Sequence, residues 1–251
     1  MSLLPSAKAR LAGRLLMACG VLYATLVLEA LLGWPIPVDV SYLSEMSAQT
    51  MTHGRLFRFL DATAGTCALL AAAVLWRHVL PALPLHSNLQ PPQPSAQLSL
   101  RQRAFFTRAS TLLLGVFGVA TILDALFPLD CAVFEPKCLA LERSGAVSLE
   151  HKVHVFTSSV ATGATLVLCC LVIAWWWRTR LRDFPTLALA VFSLVAVVSN
   201  LWFLVAYVGF GEVAGVAQRA NILAVCVVLL LAGWRLLRYE AAKQPCPYRA
   251  R

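Results

Sequence analysis

The chain has 251 residues, of which 59% are hydrophobic and only 13% charged, with a formal net charge of +9. Soluble domains carry about 25% charged residues, so this composition, with a mean hydropathy of +0.74, excludes an ordinary water-soluble domain. The basic residues are spread over the ends of apolar runs rather than gathered on one stretch, which is not the pattern of a nucleic-acid surface.

Six apolar runs are long enough to cross about 30 Å of hydrocarbon, and none shows the period-two alternation of a barrel strand. They predict membrane helices over 14–34, 57–79, 106–127, 153–177, 185–208 and 219–237. The chain is therefore expected to be an all-α, polytopic membrane bundle forming a single domain over 1–251. The first run is too long for a cleavable signal peptide, and no small-residue cleavage site follows it. Between the first two spans, "SYLSEMSAQT" predicts a short amphipathic helix from about Ser41 to Thr50 lying on the membrane surface, or a plain loop. Between the second and third spans, the residues around "PPQPSAQ" predict a disordered linker over 81–103. The C-terminal tail carries Cys246, expected to be a free thiol.

Orientation follows from lysine and arginine, which cytoplasmic loops retain. With both termini inside, only Arg55, Arg58, Lys137, Arg143, Lys152 and Arg219 of the 21 basic residues fall outside. Trp76, Trp175, Trp176, Trp177 and Trp234 lie beside inner arginines, as an interfacial belt would. The acids show the reverse bias: of the 12, only Asp183 and Glu240 fall inside. Acids contribute little to topology, so their outer clustering calls for its own explanation.

Several outer helix ends carry chemistry. In "EHKVHVFTSSVATGAT", His151, His154, Ser158, Thr162 and Thr165 follow helical spacing and line one face. Such a face must meet protein or water, because lipid leaves polar groups unpaired. Histidines at i and i+3 can bind one metal ion or relay protons; alternatively they sit at headgroup level and cap the span. Arg58, Asp61 and Gly65 share a face of the second span, and Thr121 and Asp124 share one of the third, with Asp130 just beyond. The fifth span carries Ser193, Asn200 and Tyr207 at heptad spacing; the sixth opens with Gln218, Arg219 and Asn221. Ionisable residues within a span are functional candidates, since each is costly there unless paired; the plainer alternative is that Arg58–Asp124 or Arg219–Asp61 pairs hold the bundle. Cys131 and Cys138, on the outer side, favour a disulfide closing a small loop; the alternative is a metal site shared with the histidines.

The "SYLSEMSA…LFRFLDATAG" and "LDCAVFEPKCLALERSGAVSLEHKVHVFTSS" stretches, with the six-span layout, resemble the bacterial membrane family called domain of unknown function 998, over nearly the whole chain. The "LDC…C…E…G…S…H…H…S" block carries the resemblance at Asp130, Cys131, Cys138, Glu142, Gly145, Ser148, His151, His154 and Ser158. The alanine-, leucine- and arginine-rich wording is similar to actinobacterial members. The resemblance implies a fold and a place in the plasma membrane, and no activity. A more distant analogy is with the CREST membrane hydrolases, such as alkaline ceramidases, which hold zinc with three histidines. By that analogy His151, His154 and His53 would be the zinc ligands, Asp61 or Asp124 the acid, and Ser158 or Ser44 the hydroxyl. Those hydrolases space two of their histidines four apart, whereas His151 and His154 are three apart.

The expectation is therefore an outward-facing polar cavity that binds the head group of a lipid or another small envelope molecule. Arg58, Asp61, Asp124, Asp130, His151, His154, Asn200, Arg219 and Asn221 would line it, with Arg58 and Arg219 as counter-charges. Two alternatives stand beside it: a metal-dependent hydrolase or transferase acting on an outer-leaflet lipid, and a structural or regulatory membrane subunit. The partners expected are a membrane lipid and an envelope-building protein, not nucleic acid.

Overall fold

The computed structural model describes residues 4–79, 98–179, 183–206 and 213–242. Among them are helices and turns and no strand. The helices are α1 (Leu4–Leu22), α2 (Thr25–Leu31), α3 (Gly54–Val74), α4 (Leu100–Leu126), α5 (Pro136–Arg143), α6 (Leu149–Thr179), α7 (Phe184–Val205) and α8 (Ala214–Ala242). Six segments are long and apolar enough to cross a membrane, the first made of α1 and α2 together. Each lies where an apolar run predicts it, with ends shifted by up to seven residues. Tyr207 and Cys246 lie outside the described residues, as does 81–97 of the predicted linker. The remainder of that linker differs from expectation: α4 already begins at Leu100. Ser99 caps it, its hydroxyl accepting from the Gln102 amide at 3.3 Å while the Gln102 side chain accepts from the Ser99 amide at 3.0 Å. Together these satisfy donors that a helix start otherwise leaves orphaned.

Each span packs on its neighbour in sequence, and α8 returns to pack on α1, so the helices close into an up-and-down ring. The hydrophobic effect does little between helices in lipid, and close backbone approach takes its place. Two seams show this. A Cβ on Gly118 would lie 2.7 Å from the Gly65 carbonyl oxygen, across the α3–α4 seam, and one on Gly13 would lie 2.8 Å from the Gly233 carbonyl, across α1–α8. The packed core between the helices is accordingly rich in small side chains, among them Ala64, Ala68, Ala71, Ala120, Ala161 and Ala164, with Phe117.

One end of the ring is covered by a cap. The predicted surface helix at Ser41–Thr50 is instead a short 3-10 turn, Leu43–Ser47, driven into the bundle. Leu43 and Met46 pack with Ile36 and Phe57 into a second apolar cluster. Its Glu45 carboxylate accepts from the Tyr42 amide at 2.9 Å and from the Phe134 amide at 3.0 Å, joining the turn to the loop after α4. Burial pushes the Glu45 carboxyl above its usual range, although those amide donors and Arg219 act against it. That second loop is closed by a Cys131–Cys138 disulfide, with Cα atoms 5.8 Å apart. At the opposite end, Arg235 lies over the Trp175 ring and Arg238 over Trp234, at 5.7 and 5.0 Å, so tryptophan and arginine share one level there.

Candidate functional site

Beneath the cap, at the centre of the ring, is a polar cavity. Its carboxylates come from Asp61 on α3 and Asp124 on α4, and its imidazole from His154 on α6. Asn200 on α7 and Asn221 on α8 complete the wall, and Ser44 and Ser47 of the cap form its lid. About 70 Å³ is open to the centre of a water molecule. At roughly 10–15 Å³ for each such position, that is space for about five waters, or for one small polar group of similar bulk.

Asp124 is held on both oxygens. The Thr157 hydroxyl donates to Oδ1, and the Ser158 hydroxyl donates to Oδ2 at 2.8 Å. The His154 Nδ1 lies 3.1 Å from both the Asp124 and the Phe127 carbonyl oxygens, at the C-terminal end of α4. Carbonyls only accept, so this nitrogen carries the proton and uses it on two of the orphan acceptors that end a helix. The neutral ring therefore keeps a bare lone pair on Nε2. That atom is buried and has no partner among the described residues, and neither does the Asn200 Nδ2. His154 is 4% exposed and Asn200 1%, so both are rigidly enclosed and both retain unused hydrogen-bonding capacity. Among the described residues, none donates a hydrogen bond to Asp61 and no lysine or arginine lines the cavity. The chamber thus presents one free carboxylate, one tethered carboxylate, a bare imidazole nitrogen and a free amide N–H₂.

The remaining sequence candidates lie elsewhere. His151 is three residues from His154, but its Nδ1 accepts from the Asp130 amide at 3.3 Å. It therefore carries its proton on the opposite nitrogen from His154, and it does not line the cavity. Asp130 accepts from the Ser148 hydroxyl at 2.5 Å and the Ser148 amide at 2.7 Å. Burial acts to raise the Asp130 carboxyl, but the Ser148 donors and His151 outweigh it, and it sits below the usual range. Asp130, Ser148 and His151 form one network that ties the disulfide loop to the start of α6.

The expected counter-charges are committed as well. Arg58 donates to the Ser47 carbonyl at 2.7 Å and holds the cap. Arg219 pairs with neither Asp61 nor Asp124. Its Nε and Nη2 meet the two Glu29 oxygens at 2.8 and 2.5 Å, and its Nη1 donates to the carbonyls of Val38, Ser41 and Gly215. A guanidinium is a planar fork that suits such bidentate pairing. Asn221 donates to the Ala196 carbonyl at 2.8 Å, linking α8 to α7 beside the cavity. His53 precedes α3, is exposed, and meets neither of the other two histidines. Among the described residues, no three His, Cys, Asp or Glu side chains are grouped to hold a metal ion.

Sequence reasoning missed two participants. Glu29 lies one turn inside the end of the first span, and an acid at that depth was the signal for a buried partner. Tyr23, at the break between α1 and α2, lines the cavity with its ring edge-on to Phe117 at 5.2 Å; an aromatic in a span reads as packing, so nothing marked it.

This arrangement defines an integral membrane protein with a polar chamber enclosed by its spans. A family model described as "Protein of unknown function (DUF998)" matches residues 96–235, and the chain belongs to that family. The match takes in α4 to most of α8, including Asp124, His154, Asn200 and Asn221, while Asp61 and the cap precede it. No curated protein and no solved structure matches the chain.

Proposed function

We propose that the protein sits in a bacterial plasma membrane with both termini inside, and that its outward cavity binds the positively charged amine of a lipid head group or another small envelope molecule. The observation that carries this reading is the imbalance of the chamber. It is lined by two carboxylates, a histidine with a bare Nε2 and several hydroxyls, while the nearby arginines are used up on Glu29 and on cap carbonyls. An ammonium group donates up to three hydrogen bonds and carries the missing charge; Asp61, Nε2 of His154 and the Ser44 region are acceptors of that kind. Aromatic rings of Tyr23, Phe57 and Phe203 also line the space, which suits a cation further. The size supports a head group rather than a whole lipid, whose tails would remain among the apolar helix faces.

The enzyme reading retains one observation of its own. Ser158 donates to Asp124 within the chamber, placing a hydroxyl beside a carboxylate. Two measurements on detergent-purified protein separate the readings: mass spectrometry of bound lipids and elemental analysis. Enrichment of an amine-bearing molecule, lost in Asp61→Asn, supports binding. A stoichiometric bound metal ion supports the hydrolase or transferase. Recovery of no amine-bearing molecule above the bulk lipid proportion sinks the proposal.

A further inference from the structure

A second site lies on the outer wall of the ring and shares no lining residue with the cavity, although Thr157 at its upper end donates to Asp124. Between α3, α4 and α6 the outer wall is indented by an apolar groove of about 560 Å³, inside the roughly 300–1,000 Å³ range of small-molecule sites. Small residues make it concave: Ala72, Ala73, Gly115 and Ala120 leave a hollow between the larger Leu69, Leu112 and Phe156. Along α4 it runs from Thr111 to Leu123. At 1.5 Å per residue this is about 18 Å, close to the depth of one leaflet of a bilayer whose hydrocarbon is about 30 Å thick.

The groove opens at one end on a basic surface. Trp76 and Leu112 line both the groove and an adjoining hollow that contains Arg101 and Arg108, and Arg77 stands at the groove itself. Arg101 and Arg108 are two turns apart on α4 and share a face. All three arginines are exposed, and none has an ion pair among the described residues. Asp183, an acid near that end, is used in capping α7 and in an ion pair with Arg235 at 3.7 Å. Three guanidinium groups without an ion pair among the described residues, joined to a chain-length apolar trough, form a surface with one complement. We infer that this is a binding site for an anionic phospholipid, its phosphate held by Arg77, Arg101 and Arg108 and one acyl chain laid in the groove. Basic pockets between membrane helices take phosphate head groups through charge, and arginine does so with paired donors.

Native mass spectrometry of the delipidated full-length protein tests this with dioleoyl phosphatidylglycerol, dioleoyl phosphatidylcholine and tail-free glycerol phosphate. Phosphatidylglycerol should be retained, with phosphatidylcholine bound at least tenfold more weakly and glycerol phosphate not at all. The Arg101→Ala/Arg108→Ala variant should bind phosphatidylglycerol about twenty-five-fold more weakly, at roughly fivefold per arginine near a membrane surface. Gly115→Leu, which fills the trough, should weaken it too, while Asp61→Asn in the cavity should leave it unchanged. Because the double variant changes only exposed side chains, it stands as the test even if Gly115→Leu does not fold. Equal retention of the two phospholipids, binding of glycerol phosphate as tight as that of phosphatidylglycerol, or no loss in the double variant would overturn the assignment.

Discussion

Consider first the removal of one partner from the Glu29–Arg219 pair. Both side chains are buried, at 0% and 5% exposure, and the pair fastens the cap, since Arg219 also donates to Val38 and Ser41. Glu29→Gln leaves the guanidinium buried without its counter-charge, and breaking a buried pair in this way costs about 3–5 kcal/mol. Arg219→Met strands the Glu29 carboxylate at a similar cost. It also removes the donor to three carbonyls, adding about 1 kcal/mol for each one left unsatisfied. The double variant Glu29→Leu/Arg219→Met contains no buried charge, so only the carbonyl losses should remain, about 2–3 kcal/mol. It should therefore be more stable than Arg219→Met alone by about 3 kcal/mol. Chemical unfolding in mild detergent, followed by tryptophan fluorescence and analysed as a double-mutant cycle, measures this. Single variants that cost less than about 1 kcal/mol, as exposed pairs do, would refute the assignment of the pair as a buried clasp. So would a double variant whose loss equals the sum of the singles.

Three further outcomes follow from the structure. Gly118→Leu should destabilise by about 3 kcal/mol or more, because even its Cβ would meet the Gly65 carbonyl oxygen at 2.7 Å, and over-packing of a fixed backbone is not relieved by rotamer change; thermal unfolding in detergent reads it. Glu45 holds its proton more tightly when folded, so the folded state binds more protons than the unfolded one above the unfolded carboxyl pKa of about 4.3. Stability should be full below that value and fall as pH rises towards the higher folded pKa, and Glu45→Gln should flatten that part of the pH profile of the unfolding midpoint. A cysteine placed at residue 90 should react with membrane-impermeant reagents only in inverted vesicles; labelling in intact cells would reverse the proposed orientation.

What the sequence revealed about the fold came from the membrane itself. Each span is a run of about 20 apolar residues with its charges at the ends, and in hydrocarbon only a helix satisfies that backbone. The break after Leu22 was not legible, since neither Tyr23 nor Ala24 is a breaker. The cap was misread because "SYLSEMS" looks polar enough for a surface. Its polar atoms are spent on partners far along the chain: Glu45 on Phe134, and the Leu43 amide on Gln218 at 2.6 Å. The cavity was partly legible. Helical spacing put Asp61, Asp124 and His154 at one end of the bundle, and the structure joins them. Spacing also put His151 beside His154, yet residues three apart on a helix aim in directions about 60° apart. One ring reaches the end of α4 and the other the Asp130 loop. The partner of Arg219 lies 190 positions away, and no local pattern chooses Glu29 over Asp61.

The chamber's preference for a positive charge is isolated by one comparison. Lysophosphatidylethanolamine and its N-acetylated form share the tail, the glycerol and the phosphate and differ in the charge on nitrogen. Native mass spectrometry of the Arg101→Ala/Arg108→Ala protein, in which the basic groove competes far more weakly for phosphate, reads chiefly the cavity. The charged lipid should bind at least about tenfold more tightly than the acetylated one, the worth of one hydrogen bond to a charged group, and Asp61→Asn should erase the difference. Equal binding of the two lipids, or a preference that survives Asp61→Asn, would contradict the account.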